Sequence, residues 1–100
     1  MQPDYSRLAL RDIDEIAESI RKDRPRSAVR FLDGVKKTVQ RLLDFPESAG
    51  RFESGKPELE GLRVVLVRGF KKYLWFYRIH IESIFVERVL HGARNLDDLL

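Results

Sequence analysis

Apolar residues recur at Ala9, Ile13, Ile16, Ala17 and Ile20, the spacing of one helical face. Asp12, Asp14, Glu15 and Glu18 fill the other side, and Arg21 and Lys22 close the run, acid early and base late as the helix dipole favours. Ser6 is placed to cap this helix. A second stripe follows at Ala28, Phe31, Leu32, Val35, Val39, Leu42 and Leu43. Pro25 fits its first turn, where a missing N–H costs nothing, and Phe45-Pro46 ends it, because the residue before proline is pushed out of helical geometry. Asp23-Arg24 is too short a link for anything but an antiparallel hairpin of helices. Gly34, inside the second stripe, carries a propensity cost that close helix packing would explain.

After Glu47–Gly61, a loop with three glycines and a proline, the period changes. Leu62–Val67, Tyr73–Ile79 and Ile84–Leu90 read as strands, with turns at Gly69 and the lysine pair and at His80–Ser83. Asp4–Leu8 carries only a faint strand signal. Asn95 is placed to cap a last turn bearing Leu96, Leu99 and Leu100. Helices first and a strand meander after predict an α+β fold: an N-terminal antiparallel helix hairpin packed on an antiparallel β-sheet, with a short C-terminal helix. Ile16, Phe31 and Leu42 are the expected core anchors. The chain of 100 residues is read as a single domain, residues 1–100.

Charge adds an asymmetry. From Met1 to Glu60 twelve basic and twelve acidic residues cancel, whereas Gly61–Arg94 carries seven basic residues against two acidic ones. Such a half can face nucleic acid or an acidic protein; solvated strand edges that deter aggregation are the plainer reading. The absence of cysteine removes disulfides and thiolate metal sites. No stretch has signal-peptide or transmembrane character, so a cytoplasmic protein without a membrane partner is expected.

Little chemistry stands out. The serines lie in no nucleophile motif, and His80 and His91 have no flanking ligand cluster, so no metal is expected. The glycines follow no phosphate-loop spacing, which argues against nucleotide cofactors and small-molecule substrates. The run Tyr73-Leu74-Trp75-Phe76-Tyr77, flanked by Lys71, Lys72 and Arg78, either stacks nucleic-acid bases or forms a central buried strand. Burial is favoured because Leu74 and Phe76 require it. His91, Arg63 and Arg78 are the candidate catalytic residues, His91 as an acid or base near neutral pH and the arginines as phosphate holders. As structural residues they are a strand-end histidine and edge charges.

The segment Tyr73–Arg78, followed by Arg88-Val89-Leu90-His91-Gly92-Ala93-Arg94-Asn95-Leu96, resembles the C-terminal signature of ParE-like toxins in the RelE/ParE superfamily. The Ala9–Ile20 helix, the Pro25–Ala28–Phe31 opening of the second helix, Phe45-Pro46 and Gly61-Leu62-Arg63 extend the resemblance over nearly the whole chain. It implies a type II toxin with a cognate antitoxin partner, and the basic second half and apolar tail mark Arg88, Arg94, Leu96, Leu99 and Leu100 as candidates for antitoxin or target binding. ParE-like members are associated with inhibition of DNA gyrase; RelE-like members cleave mRNA on the ribosome. The nucleases commonly place an arginine directly after the aromatic residue that opens the central strand, and here that residue is Leu74. Leucine cannot stabilise the charge of a phosphoryl transition state. The resemblance therefore favours a gyrase-directed toxin over an mRNA endoribonuclease, with a non-toxic interaction domain as the third reading.

Overall fold

The computed structural model describes residues 2–100, and its elements follow the hydrophobic pattern closely. Strand β1 (Gln2–Tyr5) leads into helix α1 (Arg7–Asp23), and helix α2 (Pro25–Asp44) follows after Arg24 alone. A 3-10 turn at Pro57–Leu59 precedes strands β2 (Arg63–Val67), β3 (Phe70–Ile79) and β4 (Ser83–His91), and α3 (Leu96–Leu99) closes the chain. Ser6 caps α1 as expected: its Oγ accepts from the Ala9 N–H at 2.9 Å and donates to the Glu87 carbonyl at 2.6 Å. The first turn of α1 holds no acidic residue, so only the basic end of the expected charge arrangement is present.

The sheet has the order β1-β4-β3-β2. The expected antiparallel meander of β2, β3 and β4 is there, and β1 adds a fourth strand parallel to β4, which makes the sheet mixed. Gln2–Tyr5 has no apolar alternation to announce a strand; pairing with β4 creates it. The backbone N–H groups of Gln2 and Ser6 point toward the β4 side. Pro3 lies in the alternate phase, so the N–H it lacks is one the free edge would otherwise expose.

The helix hairpin covers one face, with α1 over β4 and α2 reaching β2. Phe31, Leu42, Trp75, Tyr77, Ile84, Val86 and Val89 form the main core there. Phe31 and Leu42 are fully buried anchors, while Ile16 sits half-buried at the margin and Leu32 is 42% exposed. Burial of each such side chain contributes about 1.5–3 kcal/mol. The opposite face carries a second, smaller core of Leu59, Leu62, Phe76 and Leu90, roofed by Phe52, Leu96, Leu99 and Leu100. The two faces of β3 thus both need apolar residues, which is why its sequence is a continuous apolar run rather than an alternating one.

Gly69 turns β2 into β3 with φ 83°, a left-handed conformation that glycine adopts without steric penalty. The two lysines expected in that turn belong to β3 instead. Gly34 is where α2 meets the turn: a Cβ there would collide with the Arg68 carbonyl oxygen. Thr38 fixes the contact, donating to the Gly34 carbonyl at 2.7 Å and accepting from the Arg68 N–H at 2.9 Å. The expected close packing at Gly34 is therefore against the hairpin turn rather than against the other helix.

Candidate functional site

Cross-strand register decides where each candidate residue stands. Arg63 pairs with Tyr77 and His91 with Tyr73, so both project on the helix side of the sheet but four residues apart along β3. At about 3.4 Å per residue that is roughly 14 Å. Arg78 follows Tyr77 and projects on the other face. The three candidate catalytic residues do not converge on a common point.

Each arginine is also engaged. Arg63 Nη1 donates to the Ala49 carbonyl at 2.7 Å. Arg78 donates to Glu87 at 2.9 Å and to the carbonyls of Glu60 and Glu58, stitching the long loop to the sheet. His91 Nδ1 accepts from the Ala93 N–H at 3.0 Å, and its ring meets Tyr73 edge to face at 5.3 Å. Its Nε2 makes no hydrogen bond among the described residues. Tyr77 donates to the Pro46 carbonyl at 2.8 Å, and burial pushes its hydroxyl pKa up, with Arg63 opposing in part. The aromatic run is a buried central strand: Trp75, Phe76 and Tyr77 are fully covered and offer no stacking face to bases.

Arg88, a candidate for antitoxin or target binding, is engaged within its own chain. Its Nε and Nη2 donate to the two carboxylate oxygens of Asp12 at 2.7 and 3.0 Å, and its Nη1 to the Leu99 carbonyl at 2.9 Å. Asp12 also accepts the Val89 N–H at 3.0 Å. Beyond Tyr5 strand β4 has no neighbour on this side, so Asp12 supplies the acceptor that a strand would have supplied. The Asp12 hydrogen bond raises the Arg88 pKa still further, against the opposing effect of burial. Asp12 is buried, not on the polar side of its helix where the charge pattern puts it. The sequence does hold the signal: Ala9, Asp12, Ile13 and Ile16 fall at i, i+3, i+4 and i+7, which sets Asp12 on the apolar stripe.

The remaining binding candidates divide. Leu96, Leu99 and Leu100 pack on the second core and are partly covered by their own chain, and the Lys56 ammonium holds the Asp97 carbonyl beside them. Arg94 is exposed and unpaired among the described residues. Leu74 belongs to the second core and pairs with Leu90 across the strands, so the position the nucleases give to an arginine is part of an apolar layer.

Basic residues from outside the expected half also assemble. Arg24, Arg30 and Lys37 of the α2 region line a groove shared with Arg68 of the β2–β3 turn. They escape a reading of the sequence because acidic residues balance them along the chain.

Comparison with known proteins places this architecture. The family model described as "ParE toxin of type II toxin-antitoxin system, parDE" matches residues 4–96. Among solved structures, a chain from the chromosomal ParDE toxin–antitoxin system of P. aeruginosa superposes with a TM-score of 0.72 at 18% identity, covering 91% of this chain and 95% of that one. YafQ from E. coli strain BL21(DE3) superposes at 0.62 with 17% identity, covering 90% and 91%. A YafQ mutant from E. coli, carrying glutamine in place of a histidine, superposes at 0.58 with 16% identity over the same shares. No curated protein sequence matches significantly.

Proposed function

The chain belongs to the ParE toxin family of type II toxin–antitoxin systems, and from that premise we propose that it arrests growth by binding and inhibiting DNA gyrase, and that a cognate antitoxin neutralises it. The observation that carries the gyrase reading over nucleolytic attack is Leu74 in an apolar layer, on the opposite face of the sheet from His91 and Arg63. In-line cleavage of RNA needs a base, an acid and a cation around one phosphate, and positioned acid–base groups contribute about 10²–10⁴-fold. Here the arginines that would serve are bound to carbonyls and carboxylates. A toxin that works by occupying a target protein needs no such constellation, only a stable exposed surface.

Of the residues proposed for partner contact, Arg94 is the free cation among the described residues, and the C-terminal leucines are engaged with their own sheet. The antitoxin in this reading is an acidic, amphipathic segment that docks against the helices and the sheet edge, losing part of its interaction energy to its own ordering. The endoribonuclease reading rests on one feature, the unengaged Nε2 of His91 at the end of β4. Tightly controlled expression of the chain is expected to stop growth, and co-expression of the adjacent small reading frame to restore it and co-purify. Growth arrest without rescue, or no arrest at all, contradicts the proposal.

A further inference from the structure

A cluster of cations without carboxylate partners among the described residues lies at one end of the molecule, away from Arg63 and Arg78. Between α2 and the β2–β3 turn runs a groove of about 450 Å³. Arg24, Arg30, Lys37 and Arg68 contribute four positive charges to it and Asp33 one negative. Lys37 holds Asp33 at 3.0 Å, while Arg24, Arg30 and Arg68 have no acidic partner among the described residues. Arg30 donates to Ser27 Oγ at 2.9 Å, which aims its guanidinium along the helix surface. The opposite wall is fixed by the Gly34–Thr38–Arg68 contact, so Arg68 starts from a rigid backbone position. Exposed Lys71 and Lys72 follow the turn, and the Lys72 carbonyl accepts from the Gly92 N–H, which brings Arg94 to the same end of the sheet.

We infer that this groove binds the phosphodiester backbone of a nucleic acid. From Arg24 to Lys37 the helix rises by about 20 Å, long enough to track several consecutive phosphates. Guanidinium groups suit phosphate oxygens because they present paired donors in a plane. Phe70 is the one large apolar side chain in the lining. A protein partner draws its affinity from several apolar and aromatic anchors seated in desolvated pockets, and here Phe70 stands alone and is itself packed against the main core, whereas backbone binding by counterion release asks only for spaced cations. The inference goes beyond the proposed toxin activity and holds whatever the toxin's target is.

The test is fluorescence anisotropy of the full chain with three labelled probes of one sequence: single-stranded DNA, duplex DNA and single-stranded RNA. Salt is varied from about 50 mM to about 200 mM. Wild type is expected to bind at least one probe, with a preference that identifies DNA or RNA as the source of the phosphates. Arg30→Ala/Arg68→Ala, both exposed positions, is expected to weaken binding on the order of 10-fold and to lower the salt slope by about two. Arg7→Ala/Arg11→Ala, which removes the same charge from exposed sites on α1, is expected to change affinity by less than about 2-fold. Absence of binding to all three probes at low salt overturns the inference. So do equal losses in the two double variants, and so does a polyglutamate peptide that binds more tightly than any nucleic acid and responds to the same groove substitutions.

Discussion

A carboxylate with 8% of its side chain exposed costs several kcal/mol to bury unless charge and hydrogen bonds meet it, and Asp12 is met by three donors, two from Arg88 and one from the Val89 amide. Through Arg88 the same carboxylate reaches the Leu99 carbonyl, so one residue of α1 ties the helix layer to β4 and to the C-terminal turn. Removing one partner strands the other's charge. Asp12→Ala is expected to cost about 3–5 kcal/mol, and Arg88→Met alone to be costly as well. The double variant Asp12→Ala/Arg88→Met is expected to lose clearly less than the sum of the two single changes, because no unpaired ion is left. Urea unfolding followed by the fluorescence of Trp75, the sole tryptophan and fully buried, measures all three. Strict additivity would contradict the coupling.

At the level of elements, α2 is held to the sheet through a glycine and a threonine rather than through apolar contacts alone. In an exposed helix Gly→Ala stabilises by about 1 kcal/mol. At Gly34 the sign is expected to reverse, because the new methyl group meets the Arg68 carbonyl; displacing a backbone segment in a packed site costs about 1–3 kcal/mol. A thermal scan showing Gly34→Ala more stable than wild type would contradict this. The glycine's place in the stripe was legible from sequence, but its partner was not, because Arg68 lies beyond a long loop. The two helices and the three meander strands were legible for a reason: each carries its own period or its own β-branched run. Strand β1 carries neither and exists through its partner β4. Asp12 reads as a surface acid until its helical phase is compared with Ala9 and Ile13.

Over the whole molecule the fold was more legible than the site, because burial is written in local hydropathy while the availability of a charge is not. Arg63, Arg78 and Arg88 stand out in the sequence as a basic half, yet folding commits all three to carbonyls or carboxylates. Arg24 and Arg30 look cancelled along the chain and emerge without acidic partners among the described residues. Leu96, Leu99 and Leu100 look like an unpartnered apolar tail and instead roof the second core.

The central claim, a ParE-family toxin whose proposed action is binding rather than cleavage, is tested most directly by adding purified wild type and folded His91→Ala to two reactions, gyrase supercoiling and ribosome-dependent mRNA cleavage. The account predicts that both proteins inhibit supercoiling and that neither cleaves mRNA. Cleavage by wild type that disappears in His91→Ala, with supercoiling untouched, would contradict it.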